Sequence, residues 1–335
     1  MENGERKYKF YQKLLLSPEF GIVVPVLIMC IVTAILNKNF LVWGNLQYII
    51  EQSMYVGLLA LGQAIVITVG EIDLSIGAMG GFAAVMMGVA CEKWGMSPFA
   101  AILIGLLTGV AIGFINGFVS TRIGVTPWIV TLATQFICAG VTQFISNGKV
   151  MHMTNENYAA AYEALGKFKA WTIPKLDFSS MFLIFIAILI IYDFVIRHTQ
   201  FGFKVRAVGG NADAALLAGI SVKNTKLLAF MVSGLFGGLY AVFFVIKQMA
   251  TNLSQGSGGE FRAITCCAIG GIAMSGGKVS IYGVGLGVLL FHVVNGALQS
   301  LGADNNVQLL MVGALLVVAV LLDKLRQIYE RSLRV

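Results

Sequence analysis

The chain has 335 residues, 58% of them hydrophobic and only 12% charged, with 39 glycines, five prolines and a net charge of +7. A soluble domain devotes roughly a quarter of its residues to charge, so a water-clothed surface is excluded and the membrane is the solvent. The positive balance sits in loops and at the ends, with no basic stripe interleaved with aromatics, which excludes nucleic acid as a partner.

A helix rises about 1.5 Å per residue and the hydrocarbon is about 30 Å thick, so apolar runs of about 17 to 25 residues read as spans. The basic start, MENGERKYKFYQK, precedes an apolar run without a small-residue cleavage pattern, which predicts an uncleaved first span. In chain order the runs cover 20–36, 45–69, 74–90, 98–120, 126–146, 179–196, 227–246, 261–275, 281–300 and 306–322. The eighth is short enough to be re-entrant. Continuous runs, instead of alternating segments of about ten residues, exclude a barrel. The expected class is all-α: one polytopic transmembrane domain over 1–335, with about ten helices.

Cytoplasmic loops carry the excess of Lys and Arg. With both termini inside, that side holds Arg6, Lys7, Lys9, Lys13, Arg122, Arg197, Lys204, Arg206, Lys223, Lys226, Lys278, Lys324, Arg326, Arg331 and Arg334, most of the 23 cations. The five cysteines lie in or beside spans without metal-ligand spacing and read as small apolar residues.

Between the second and third runs, VGEIDLSIGAMGG (69–81) places Glu71, Asp73 and Ser75 at a span end. A carboxylate at a bilayer centre costs about 2.5–3.5 kcal/mol. Two readings stand: Asp73 or Ser75 caps the next helix, or the stretch is a polar break lining a route or gate. Gly105, Gly109, Gly113 and Gly117 in the fourth run, Gly234 and Gly238 in the seventh, and Gly283, Gly285 and Gly287 in the ninth mark close helix packing. The external stretch 147–177 carries NENYAAAYEALGKFKAW, an amphipathic pattern suited to lying on the membrane surface or to meeting an external partner.

The internal stretch 197–226, RHTQFGFKVRAVGGNADAALLAGISVKNTK, predicts a short capped helix. Asn211 is its N-cap, Asp213 lies in its first turn, and Gly219 suits the left-handed position that ends it. Helix connections need only about 2 to 8 residues, so this loop is built to touch something. Further on, GGIAMSGGKVS (270–280) fails as a phosphate loop, because Ile272 stands where the first glycine belongs and Val279 replaces the hydroxyl residue. It echoes VGEIDLSIG only weakly. The three histidines, His152, His198 and His292, are too scattered for a triad or metal site. The polar residues inside spans are mostly amides, among them Gln52, Gln63, Asn116, Gln135, Asn295 and Gln308, which suits a neutral, hydroxyl-rich solute better than an ion.

VITVGEIDLSIGAMGG, FKVRAVGGNADAALLAGISVKNTKLLAF and EFRAITCCAIGGIAMSGGKVSIYGVGLGVLL appear in this order over nearly the whole chain. In this the sequence resembles the permease subunits of bacterial ABC sugar importers, the ribose, xylose, galactose and autoinducer-2 branch. The resemblance implies a permease in the bacterial inner membrane, paired with a second copy or paralogue. It also implies a cytoplasmic ATPase that holds ATP and Mg, with no cofactor in this chain, and a periplasmic or lipid-anchored solute-binding protein. The internal helix then corresponds to the family's coupling helix, with Arg206, Gly210, Asn211, Asp213, Ala214, Ala215 and Gly219 carrying the contact. Glu71, Asp73, Ser75, Asn116 and Asn295 are the expected path or gate residues. Where relatives usually carry Glu-Leu-Asp-Ala-Ile-Ala-Ala, this chain has Glu260, Phe261, Arg262, Ala263, Ile264, Thr265 and Cys266, a cation in place of a carboxylate. Two alternatives stay open: a permease of branched-chain amino acid or nucleoside importers, and an ion-coupled secondary transporter. The latter would need titratable acids at the membrane centre, for which only Glu51 and Asp193 are available.

Overall fold

The structure, a computed structural model, describes residues 18–153, 179–252 and 255–332. The amphipathic stretch 155–171 lies outside them. Among the described residues the chain is helical without strands, apart from an isolated antiparallel bridge between His152 and Ala250. The helices are α1 (Pro18–Leu36), α2 (Trp43–Thr68), α3 (Ile76–Glu92), α4 (Pro98–Phe118), α5 (Pro127–Ser146), α6 (Ser180–His198), α7 (Gln200–Gly210), α8 (Ala212–Leu217), α9 (Val222–Gln248), α10 (Gly259–Ile269), α11 (Ile281–Ser300) and α12 (Asn305–Ser332). A π-helical turn, Val119–Ile123, extends α4.

The starts are written locally. Ser97, Ser179, Ser221 and Ser280 each accept an amide from the first turn of α4, α6, α9 and α11, satisfying a donor the helix itself leaves free. Pro98 and Pro127 occupy the first positions of α4 and α5, where a missing N–H costs nothing.

Among the described residues six helices are long and apolar enough to cross a membrane: α2, α4 with its π turn, α5, α6, α9 and α11. Shorter apolar segments lie in α1, α3 and α12. α2 and α9 form the centre: 83% of the most apolar stretch of α2 is buried, against 28% for α5. The outer helices present large apolar side chains, such as Phe99 at 77% exposure and Phe144 at 83%. In water such a surface would aggregate; in lipid it is the solvated face.

Helix contact in lipid depends on close packing, and the glycines of α4 supply it. A Cβ on Gly109 would stand 2.1 Å from the Gly234 carbonyl oxygen of α9, and one on Gly113 would stand 2.3 Å from that of Phe230. The predicted small-residue face of the fourth run is therefore the seat of α9.

α10 differs from a span. Its 11 residues reach about 16 Å, too short to cross the hydrocarbon. The connection before it runs back along α3, from Thr251 beside Gly88, through Gln255 at Gly81, to Gly256 at Gly77. Cβ atoms at Gly81 and Gly77 would lie 2.4 and 2.1 Å from the Gln255 and Gly256 carbonyl oxygens. This glycine groove seats the turn Gln255–Gly258 against α3, and irregular backbone inside a bundle survives only if protein covers it.

Candidate functional site

Three arrangements meet around α10. The first is a cavity of about 830 Å³ between α2, α10, α11 and α12. Tyr48 and Gln52 line it from α2, Arg262 from α10, His292, Asn295 and Gln299 from α11, and Asn305, Asn306 and Gln308 from the start of α12. Among the described residues no carboxylate lines it. Two amides each commit one N–H: Asn295 Nδ2 donates to the Phe291 carbonyl at 2.9 Å and Gln308 Nε2 to that of Ala303 at 3.3 Å. Their oxygens remain as acceptors. His292 Nδ1 faces the Val288 carbonyl at 3.0 Å, so the proton sits on Nδ1 and Nε2 is left as an acceptor.

The second arrangement is a buried polar cluster under α3. Asp73 Oδ1 accepts from the Ser75 amide at 2.9 Å and the Ser75 hydroxyl at 2.6 Å, and Oδ2 accepts from the Ser233 hydroxyl of α9 at 2.7 Å. Asn116 of α4 donates to Ser75 Oγ at 2.9 Å and accepts from the Thr134 hydroxyl of α5 at 2.7 Å. With its amide oriented to satisfy both contacts, Gln63 of α2 donates to the Asp73 carbonyl at 2.9 Å and accepts from the Asp73 amide at 3.2 Å. Asp73, Ser75, Gln63, Asn116 and Ser233 are fully buried. Ser75 makes no side-chain bond to the free amides of α3. The carboxylate instead forms a turn with Ser75 and ties α9 to the network.

The structure therefore separates the expected path residues. Asp73, Ser75 and Asn116 share one closed network, Asn295 lines the cavity, and Glu71 forms an ion pair with Lys226 at the start of α9. Two members of the network, Ser233 and Thr134, are hydroxyls on distant apolar runs and give no local signal in the sequence. Glu260, in the first turn of α10, is another unforeseen buried acid. Gln135 of α5 donates to its Oε1 at 2.9 Å, while its Oε2 has no hydrogen-bond partner among the described residues.

The third arrangement is the internal segment. Asn211 Oδ1 accepts from the Ala214 amide at 2.9 Å, Asp213 lies in the first turn of α8, and Gly219 takes φ +80°, matching the local reading. α7 was not anticipated. Arg206 donates to the Ile196 carbonyl, so its guanidinium fastens α7 to the last turn of α6. Ala215 is buried against the bundle while Leu216 and Leu217 stand 62% and 90% exposed. A Cβ on Gly210 would meet nothing within 4 Å, whereas one on Gly209 would lie 1.6 Å from the Thr68 carbonyl oxygen at the end of α2. That same oxygen accepts from the Gly277 amide at 2.9 Å. Gly276, at φ +88°, brings its α-carbon region against the Gly209 carbonyl and Gly70. The ends of α2 and α7 and the turn between α10 and α11 thus meet backbone to backbone.

Residues 45–320 match the model of the family described as branched-chain amino acid transport system / permease component. The chain belongs to this family. It is 31% identical to the ribose import permease protein of Bacillus subtilis (strain 168), over 91% of this chain and 92% of that protein. Against the L-arabinose ABC transporter permease protein of Azospirillum brasilense the identity is 30%, over 94% and 90%. It is 32% identical to the D-allose transport system permease protein of Escherichia coli (strain K12), over 89% and 90%. No solved structure gives a match. Membership of a permease family, together with helices of membrane-crossing length, makes the chain a multi-pass membrane protein.

Proposed function

We propose that this chain is the permease subunit of an ATP-driven importer in a bacterial cytoplasmic membrane, forming the passage for a sugar or sugar-like solute. The observation that carries the proposal is the near-full-length similarity to permeases named for ribose, arabinose and allose. The family title names branched-chain amino acids, but the cavity's amides and imidazole offer acceptors for hydroxyl groups, and an apolar side chain would leave them unpaired.

In this reading both termini are cytoplasmic and the chain crosses ten times, the eighth crossing made by the stretch along α3 followed by α10. A second permease copy or paralogue closes the cavity from the other side, and a solute-binding protein delivers cargo from outside. A soluble ATPase holds ATP and Mg and docks on α8 through Leu216 and Leu217. Its closure pushes α8 and α7, and the push reaches α10 through the contact of Gly209 with Thr68 and Gly277. α10 carries Phe261 and Arg262 of the cavity wall, so its displacement changes which side the cavity faces, a shift between two packed arrangements. The Asp73 cluster keeps α2, α3, α4, α5 and α9 registered as one body while α10 moves. Asn295 lines the passage, and Glu71 with Lys226 braces the inner mouth.

The test is ATP-dependent uptake of labelled sugars by vesicles carrying the permease assembled with its ATPase and binding protein. Accumulation that vanishes without ATP supports the reading, and ATP-independent accumulation overturns it.

A further inference from the structure

The cavity carries one charge that nothing on its walls answers. Arg262 lines it from the first turn of α10, is exposed to it, and makes no ion pair or side-chain hydrogen bond with any described residue. Guanidinium stays protonated at any accessible pH, so the charge in the cavity is permanent. No acid among the described residues shares the cavity. The nearest carboxylate in sequence, Glu260, is buried, does not line the cavity and makes no ion pair with Arg262; its Oε1 accepts from Gln135. The remaining polar wall among the described residues is neutral: Nε2 of His292 and the amide oxygens of Asn295 and Gln308 offer acceptors, beside the amide N–H groups not committed to backbone carbonyls.

From this complementarity we infer that the solute is a sugar acid, with hydroxyls that donate to His292, Asn295 and Gln308 and a single carboxylate received by the Arg262 fork. A planar guanidinium pairs with a carboxylate through two parallel hydrogen bonds. One cation balances one negative charge, whereas a sugar phosphate would bring up to two, and no lysine lines the cavity to meet the second. A neutral aldose would leave the guanidinium unanswered. The inference deepens the importer reading and rests on it.

The experiment uses the complete importer, permease with its ATPase and binding protein, in vesicles. It compares ATP-driven uptake of labelled gluconate and galacturonate with that of ribose and arabinose, for the parent, Arg262→Gln and Arg262→Lys. Uptake of at least one acid is expected, reduced tenfold or more by Arg262→Gln and only partly restored by Arg262→Lys, which keeps the charge but not the fork. Assembly with the ATPase, read by co-purification, checks that each variant is intact. Acid uptake that Arg262→Gln leaves unchanged overturns the role of Arg262. Uptake of the neutral sugars alone overturns the sugar-acid assignment while leaving the importer intact. Failure to concentrate any of the four with ATP overturns the importer reading and this inference together.

Discussion

Asp73 illustrates how a carboxylate is kept inside a membrane bundle. Each of its oxygens accepts from a hydroxyl, and its own backbone is bracketed by Gln63. Removing one partner of a buried hydrogen bond costs about 1–3 kcal/mol for each group left unsatisfied. Asp73→Ala orphans the Ser75 and Ser233 hydroxyls and is expected to lower the amount of folded protein in the membrane and its thermal stability. Asp73→Asn keeps an acceptor at Oδ1 and is expected to preserve the fold while impairing transport. A double-mutant cycle with Ser233→Ala, read by thermal unfolding, checks the pairing: the two losses should be strongly non-additive, and simple addition would contradict it. Much of this was hidden in the sequence. VGEIDLSIG announces a polar break, but Ser233 lies 160 positions from Asp73 and looks like any other small residue of an apolar run.

At the scale of elements, the turn between α10 and α11 and the connection between α2 and α3 lie side by side, Gly70 against Gly276. The faint echo between VGEIDLSIG and IGGIAMSGG thus falls on two stretches that share one junction with α7. Gly209 is the tight point. Forcing a methyl into a packed contact costs about 1–3 kcal/mol, so Gly209→Ala is expected to push α7 from α2 and lower solute transported per ATP hydrolysed. Gly210→Ala, with open space at its Cβ, should change that ratio little. Equal effects of the two would remove the junction from the coupling route. On α8 the capping logic of Asn211, Asp213 and Gly219 is local and was legible. Which alanine faces inward was not, since burial of Ala215 and exposure of Leu217 depend on how α7 and α9 hold the short helix. Leu217→Glu adds charge to an exposed apolar tip and is expected to weaken ATPase assembly about tenfold or more, the loss of a hot-spot contact. Co-purification with the tagged ATPase measures it, and full recovery of the complex would contradict the docking site.

Over the whole molecule, six of the ten apolar runs coincide with helices long and apolar enough to cross a membrane, as expected where every backbone group must find its partner within the helix. The eighth run, short enough in sequence to be re-entrant, forms the 11-residue helix α10 followed by turns. The Gly77 and Gly81 groove that seats the chain before it lies nearly two hundred positions away in the sequence. The cavity was only partly legible too: Asn295 and Gln308 stood out as polar residues in spans, but their convergence with Arg262 and His292 required the packing of α10 against α11 and α12. In the proposed importer, α10 stands between the docking helix α8 and the cavity, and its motion draws work from the ATPase. The most direct measurement is solute accumulation in vesicles containing either this chain alone or the chain with its ATPase and binding protein. The account predicts concentration against a gradient only in the complete assembly, only with ATP, and lost on Leu217→Glu. Concentration by the chain alone would contradict it.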